Sequence, residues 1–180
     1  METIALFGGS FDPPHIGHKA IVEALDKLNY IDKVIVMPTF LNPFKSSSHA
    51  SSELRIEWLR KIFHPFHNII VDNYEVKQNR AVTSLETVSY LRERYSKIYL
   101  VIGADNLRSL EKWNNFEQLN SLVTFIVASR DNIEIEERFI YLKIDENISS
   151  SQLREQMDSS KLPKECAVEI EKYYKDINEQ

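Results

Sequence analysis

The chain has 180 residues, 43% hydrophobic and 27% charged, with a formal net charge of −5. That composition suits a single globular domain with a substantial core, and the acidic balance argues against a nucleic-acid binder working through a broad basic surface. A lone cysteine, Cys166, excludes an internal disulfide and a cysteine-based zinc cluster, and no apolar run approaches the ~18 residues of a membrane span. The first strand begins almost at once, so no signal peptide is expected, and a reducing cytoplasm fits all of this.

Taken in chain order, Ile4–Phe7 reads as the first strand. It runs into Gly8-Gly9-Ser10-Phe11-Asp12-Pro13-Pro14-His15-Ile16-Gly17-His18, which holds three of the chain's four glycines. Such clustering predicts a backbone that turns tightly and approaches something closely. Helical periodicity follows from Ile16 to Leu28. A strand, a glycine turn and a helix start, in that order, place free backbone N–H groups where phosphate binds, and two histidines add neutral or cationic donors. Val34–Met37 is the second strand. Residues 39–51 have no periodicity and read as either a flap or a linker. A second helix, begun at Ser51-Ser52-Glu53, carries the stripe Leu54, Trp58, Leu59, Ile62 and ends at His64-Pro65.

Ile69–Val71 is a third strand. A third helix opens with the capping-box pattern Thr83-Ser84-Leu85-Glu86 and carries Leu85, Val88, Leu91 and Tyr95. Ile98–Ile102, Val123–Ala128 and Ile140–Ile144 supply further strands, and Gly103-Ala104-Asp105 follows the first of these directly. Pro163 is placed to open a last helix with Ala167, Ile170 and Tyr174 inward. Strands alternating with helices predict an α/β fold: a Rossmann-like twisted parallel sheet with helices on both faces. One domain over residues 1–180 is expected, with a small helical part from about residue 148 to residue 180. In such sheets ligands bind beyond the carboxyl ends of the strands, so the loops after Phe7 and after Ile102 are expected to share one cleft.

His15 and His18 stand three apart at a helix start and face one way. Donors aimed at phosphate oxygens are what phosphoryl or nucleotidyl transfer requires, because that chemistry depends on positioning and electrostatics. Ser149-Ser150-Ser151-Gln152-Leu153-Arg154 offers hydroxyls, a helix start and a guanidinium that can fork onto phosphate oxygens. Read without the N-terminal motif, it fits an ordinary capped helix with a solvated arginine better. His49, His64 and His67 stand in no motif and read as surface or structural.

These two ends of the chain resemble the nucleotidylyltransferase superfamily, with its His-x-Gly-His element and a C-terminal Ser-Ser/Thr-x-Ile/Leu-Arg element. Over nearly its full length the chain is similar to the bacterial nicotinate-nucleotide adenylyltransferases of that superfamily. The matching pieces are GGSFDPPHIGH at 8–18, Pro38 with Lys45, the Thr83–Thr87 helix start, IGADNL at 102–107, Trp113, VASR at 127–130 and ISSSQLR at 148–154. The resemblance implies transfer of adenylate from ATP to nicotinate mononucleotide in NAD biosynthesis, with Mg2+ bridging the ATP phosphates and no metal site built of protein alone. It implies catalytic roles for His15, His18 and Arg154. ATP would be bordered by Phe7, Gly8, Gly9, Ser10, Phe11, Gly103 and Asp105, with Lys45, Ser150 and Ser151 on its phosphates. Nicotinate mononucleotide would be met by Ser10, Thr83, Ser84 and a stacking Trp113; read without the resemblance, Thr83 is equally a helix cap and Trp113 equally core.

Two departures bear on this. Phe44 stands where the family commonly has a histidine before Lys45, and Arg80-Ala81-Val82 replaces the usual proline before the Thr83 helix. Rival readings are a sister adenylyltransferase using nicotinamide mononucleotide or phosphopantetheine, a class I aminoacyl-tRNA synthetase fragment, and a non-catalytic nucleotide sensor. Phosphopantetheine offers Trp113 no ring, and the synthetase reading lacks both a Lys-Met-Ser-Lys-type loop and a basic surface. Neither nucleic acid nor membrane is expected as a partner.

Overall fold

A computed structural model describes residues 1–40, 49–129, 134–146 and 148–178. Six parallel strands form one sheet: β1 (Thr3–Gly9), β2 (Lys33–Pro38), β3 (Ile69–Val71), β4 (Lys97–Gly103), β5 (Thr124–Ser129) and β6 (Ile140–Lys143), in the order β3-β2-β1-β4-β5-β6. The chain moves outward in one direction from β1 to β3, then returns to the other side of β1 with β4. That reversal leaves a crevice beyond the carboxyl ends of β1 and β4, where an open parallel sheet accepts a ligand. Both predicted loops lie there.

The four inner strands β1, β2, β4 and β5 are buried on both faces, which is why they read as continuous apolar runs. Ala5, Phe7, Val34, Val36, Val101 and Ile126 form a core with Val22 and Leu25 of α1 (Ile16–Asp26), with Trp58, Leu59 and Ile62 of α2 (Ser52–Phe63), and with the C-terminal segment. The alternate residues Ile4, Leu6, Ile35, Leu100 and Val127 face the other way. They pack on Val88 and Leu91 of α4 (Ser84–Arg92) and on Leu119 of α5 (Phe116–Leu122). A short α3 (Tyr74–Lys77) precedes α4, and a 3-10 turn (Ala104–Lys112) follows β4; neither has enough residues in period to be legible as sequence.

The C-terminal part comprises α6 (Ser150–Glu155), a 3-10 turn and α7 (Ala167–Asn178). Leu153, Ile170 and Tyr174 join the same core as α1 and α2. Pro163 does not open α7: its carbonyl accepts from the Cys166 N–H at 3.1 Å, closing a turn, and the helix starts at Ala167. The glycine turn also needs correction. Gly8 and Gly9 belong to β1, and none of the four glycines has a positive φ. The sharp bend falls instead on Phe11, with φ 52°, followed by a cis Asp12–Pro13 bond. An aromatic residue held at positive φ is strained, and the surrounding contacts must impose it. Gly9 serves the close approach, because a Cβ there would lie 3.4 Å from the Phe11 ring.

One buried cation fixes the loop ends. Arg55, 0% exposed, lies on the inner face of α2 with Trp58, Leu59 and Ile62. Its Nη1 donates to the carbonyls of Ser10 and Thr39, both at 2.7 Å, its Nη2 to Phe40 at 3.2 Å, and its Nε to Ala50 at 3.1 Å. Burial lowers the guanidinium's pKa and the Asp12 charge opposes that fall. An arginine fork suits several carbonyls in fixed directions, whereas a lysine has no such geometry. Replacing Arg55 with Leu should lower the unfolding free energy by about 3 kcal/mol or more in urea titrations, since carbonyls and the nearby Asp12 charge lose their buried partner. Arg55→Lys should recover only part of that loss.

Candidate active site

The crevice is lined by groups that each strand end and the first helix turn deliver. A cleft of about 420 Å³ is bounded by His15, Gly17 and Ile21, by Ala104 and Asp105 after β4, by Ala128 and Ser129 at the end of β5, and by Ile144, Glu146 and Ile148 after β6. Three isoleucines and two alanines give the cleft apolar surface suited to an aromatic base, while His15 and Asp105 supply polar edges. Of this lining, His15 and Asp105 follow from motif reasoning. Ile148 opens the 148–154 motif, whereas Ile144 and Glu146 stand in no motif and come here because β6 pairs with β5 in this register.

His15 is the N-cap of α1 and His18 its third residue, and each caps the other's backbone. The His18 N–H donates to Nδ1 of His15 at 3.3 Å, and the His15 N–H donates to Nδ1 of His18 at 3.1 Å. This is a capping box built from two imidazoles in place of a hydroxyl and a carboxylate. The rings stack with centroids 3.6 Å apart and an interplanar angle of 20°. His18 also rests against Phe11, centroids 4.8 Å apart, and Phe7, at 6.1 Å. Because Nδ1 of each ring accepts, the hydrogen-bond network assigns the single proton of each neutral imidazole to Nε2. Burial lowers the His15 pKa to about 4. Burial, and after it the neighbouring His15, hold His18 well below the ordinary value. Both are therefore neutral Nε2–H donors at physiological pH, which removes the cationic alternative left open by the sequence.

Gly17 makes the stack possible. A Cβ there would stand 2.9 Å from Cε1 and Nδ1 of His15, closer than such atoms approach. The His-x-Gly-His spacing thus has a steric cause: the ring of the first histidine folds back over the residue two places on.

The C-terminal motif reaches the same loop. Nη1 of Arg154 donates to the Asp12 carbonyl at 2.6 Å and Nη2 to Ser151 Oγ at 3.3 Å, while Ser150 Oγ donates to the Pro13 carbonyl at 2.9 Å. Ser149 caps α6 by accepting from the Gln152 N–H. His15, His18, Ser150, Ser151 and Arg154 are thereby brought into one neighbourhood, and Arg154 keeps three N–H groups beyond these two bonds. The carboxylate of Asp12, 3% exposed, accepts from the backbone amides of His49 (2.7 Å) and Ala50 (3.0 Å) and from the Tyr174 hydroxyl. Burial alone would raise its pKa; the Tyr174 hydroxyl, the two amides and the His49 ring outweigh that and lower it.

Phe7 and Phe11 are core rings, and neither is among the residues that line the cleft with His15. Gly103 leaves room for the Asp105 carboxylate, whose Oδ1 would stand 2.8 Å from a Cβ. The Ser10 carbonyl belongs to Arg55. Thr83 caps α4, accepting from the Glu86 N–H at 3.3 Å, but Glu86 turns to Arg80 (2.8 Å) instead of completing the capping box. Ser84 opens the helix at the strand-end side of the sheet. Trp113 does not enter the cleft with His15. It lines a separate groove with Asn115 and Phe116, and its buried indole N–H has no hydrogen-bond partner among the described residues. Lys45, Phe44 and Arg130 lie outside the described residues.

Comparison with known proteins bears on the family and the fold. Residues 6–156 match the family model described as cytidylyltransferase-like. A protein of Sulfurimonas denitrificans named "Probable nicotinate-nucleotide adenylyltransferase" is 61% identical, covering 98% of this chain and 97% of the relative. One of the same name from Campylobacter jejuni is 48% identical, covering 97% of each. Among solved structures, the Plasmodium falciparum nicotinic acid mononucleotide adenylyltransferase complexed with NaAD shares the fold, with a TM-score of 0.74 at 20% identity over 97% of this chain and 98% of that one.

Two outcomes follow from the imidazole pair. Gly17→Ala should cost activity about 10²-fold through displacement of His15, with a much smaller change in thermal stability, as read by steady-state kinetics beside calorimetry. The native pKa of His15 lies below the ordinary 6.5, so the unfolded chain binds the extra proton first. Stability is accordingly full above pH 6.5 and should fall as pH drops from there toward about 4, measured by urea unfolding against a His15→Gln control.

Proposed function

The chain belongs to the cytidylyltransferase-like family and, within it, to the nicotinate-nucleotide adenylyltransferases, and on that footing we propose that it joins ATP to nicotinate mononucleotide. The products are nicotinate adenine dinucleotide and pyrophosphate. The observation that carries the reading is the pair of neutral imidazole donors lying beside an arginine at the β1–β4 reversal.

In this reading an oxygen of the nicotinate mononucleotide 5′-phosphate attacks the α-phosphorus of ATP, and the bond from that phosphorus to the bridging oxygen of the β-phosphate breaks. No protein nucleophile is required, because the incoming phosphate is one. The protein's part is to align two polyanions and to meet charge as it develops on the pyrophosphate. His15 and His18 offer Nε2–H to the α-phosphate and the leaving group, and Arg154 carries positive charge to the β and γ phosphates with Ser150 and Ser151 beside it. Neutral imidazoles suit this role, since they donate hydrogen bonds without having to gain or lose a proton during the step. Gly103 and Asp105 border the adenylate ribose. Ser10, Thr83, Ser84 and Trp113 are assigned to the nicotinate side, where the start of α4 favours an anion.

A divalent cation, Mg2+ in this reading, would supply further neutralisation of the triphosphate charge. Among the described residues no group of three or more His, Cys, Asp or Glu is placed to hold a metal ion. We take residues 1–180 as one domain. No helix among the described residues is long and apolar enough to cross a membrane; the cytoplasm is the proposed compartment.

Pyrophosphate release should be fastest with nicotinate mononucleotide when that substrate, nicotinamide mononucleotide and phosphopantetheine are each offered with ATP and Mg2+. His18→Ala should lower the rate about 10²-fold or more. Preference for another acceptor would move the chain to a sister activity, and ATP binding with no release would leave a nucleotide sensor.

A further inference from the structure

Asp12 stands where three parts of the chain meet, and no part of the proposed chemistry uses its carboxylate. Its side chain takes the amides of His49 and Ala50 and the hydroxyl of Tyr174. Its main-chain carbonyl takes Nη1 of Arg154. The C-terminal helix α7 therefore reaches Arg154 from two directions: through Tyr174 and Asp12 to the guanidinium, and through Asn178, whose Nδ2 donates to the Arg154 carbonyl at 3.0 Å. Tyr174 is itself fixed, 2% exposed and packed against Trp58 with ring centroids 6.0 Å apart. Because the histidine pair begins three residues after Asp12, displacement of this peptide changes the separation between the imidazoles and the guanidinium.

We propose that Asp12 and Tyr174 are positioning residues that register Arg154 against His15 and His18, so that the two ends of one triphosphate are met together. The inference rests on the adenylyl-transfer reading above. A carboxylate is the group that serves here: it accepts two amides and a hydroxyl at once, while an amide side chain would set an N–H against one of those donors. Charge-assisted bonds hold their geometry more firmly than neutral ones. Tyr174 acts through Asp12 and Arg154, touching no substrate.

The test is a double-mutant cycle in the full chain. Tyr174→Phe removes the hydroxyl and keeps the ring. It should lower kcat about tenfold, with KM for nicotinate mononucleotide changed less than about twofold, because misplacement of a phosphate-binding group acts on the reacting geometry. In an Arg154→Ala background the same substitution should have no further effect on kcat. Tyr173→Phe, which removes a hydroxyl bonded to the His49 carbonyl on the same helix, should leave kcat unchanged. Equal losses from Tyr174→Phe in both backgrounds would overturn the proposal, as would an unaltered kcat in Tyr174→Phe itself. If Tyr174→Phe does not fold, Asn178→Ala, at the exposed end of α7, takes its place in the cycle and is judged by the same non-additivity. A wild-type chain inactive with ATP and nicotinate mononucleotide would instead defeat the underlying reading before any variant is compared.

Discussion

Two imidazoles that accept from each other's backbone set the terms for the rest of the site. The first turn of any helix has unsatisfied N–H groups, and short polar side chains ordinarily take them up. Here His15 and His18 do so reciprocally, and the use of both Nδ1 atoms decides where the protons are. A helix cap, a tautomer and a pair of phosphate donors are thus one arrangement. It requires glycine at 17, because any Cβ would strike the His15 ring. It requires an apolar bed beneath His18, which Phe7 and Phe11 supply. The strained backbone at Phe11 is understandable on the same ground, since that bend turns the aromatic ring back under the imidazole.

Around this pair the loops are held by buried ions that bond to backbone groups. Asp12 takes amides and Arg55 takes carbonyls, on either side of the bend and at residues 39–40 and 49–50. Each ion is costly to bury, and each is satisfied by several hydrogen bonds whose directions are fixed. The Asp12 charge lies near enough to offset part of the guanidinium's desolvation. Such a device specifies one loop conformation where apolar packing would permit several. It also ties the C-terminal helix to the first loop across a sequence separation of 162 residues.

The sheet is legible in the sequence because parallel strands buried on both faces leave apolar runs, and each of the six runs is a strand. The phosphate loop is legible as composition, but its mechanism is not. Glycine reads as the turn, whereas Phe11 turns and the glycines give room. Arg55 leaves a usable signal: it lies three and four residues before Trp58 and Leu59, on a stripe that should be apolar. The Asp12–Tyr174 bond leaves none, because neither residue's surroundings in sequence name the other. The placing of Ile144 and Glu146 in the cleft lining depends on the register of a short edge strand, which no local pattern fixes. Trp113 stands at a motif position, and the structure places it along a groove with Asn115 and Phe116, apart from the cleft that His15 lines.

The central claim is that His15 and His18 act as neutral Nε2–H donors whose tautomer is imposed by mutual capping. Long-range proton–nitrogen NMR correlations on the histidine rings test it most directly. Both residues should show protonated Nε2 and bare Nδ1 at neutral pH, with no change down to pH about 6. Protonation of Nδ1 in either ring, or conversion of either to imidazolium across that range, would contradict it.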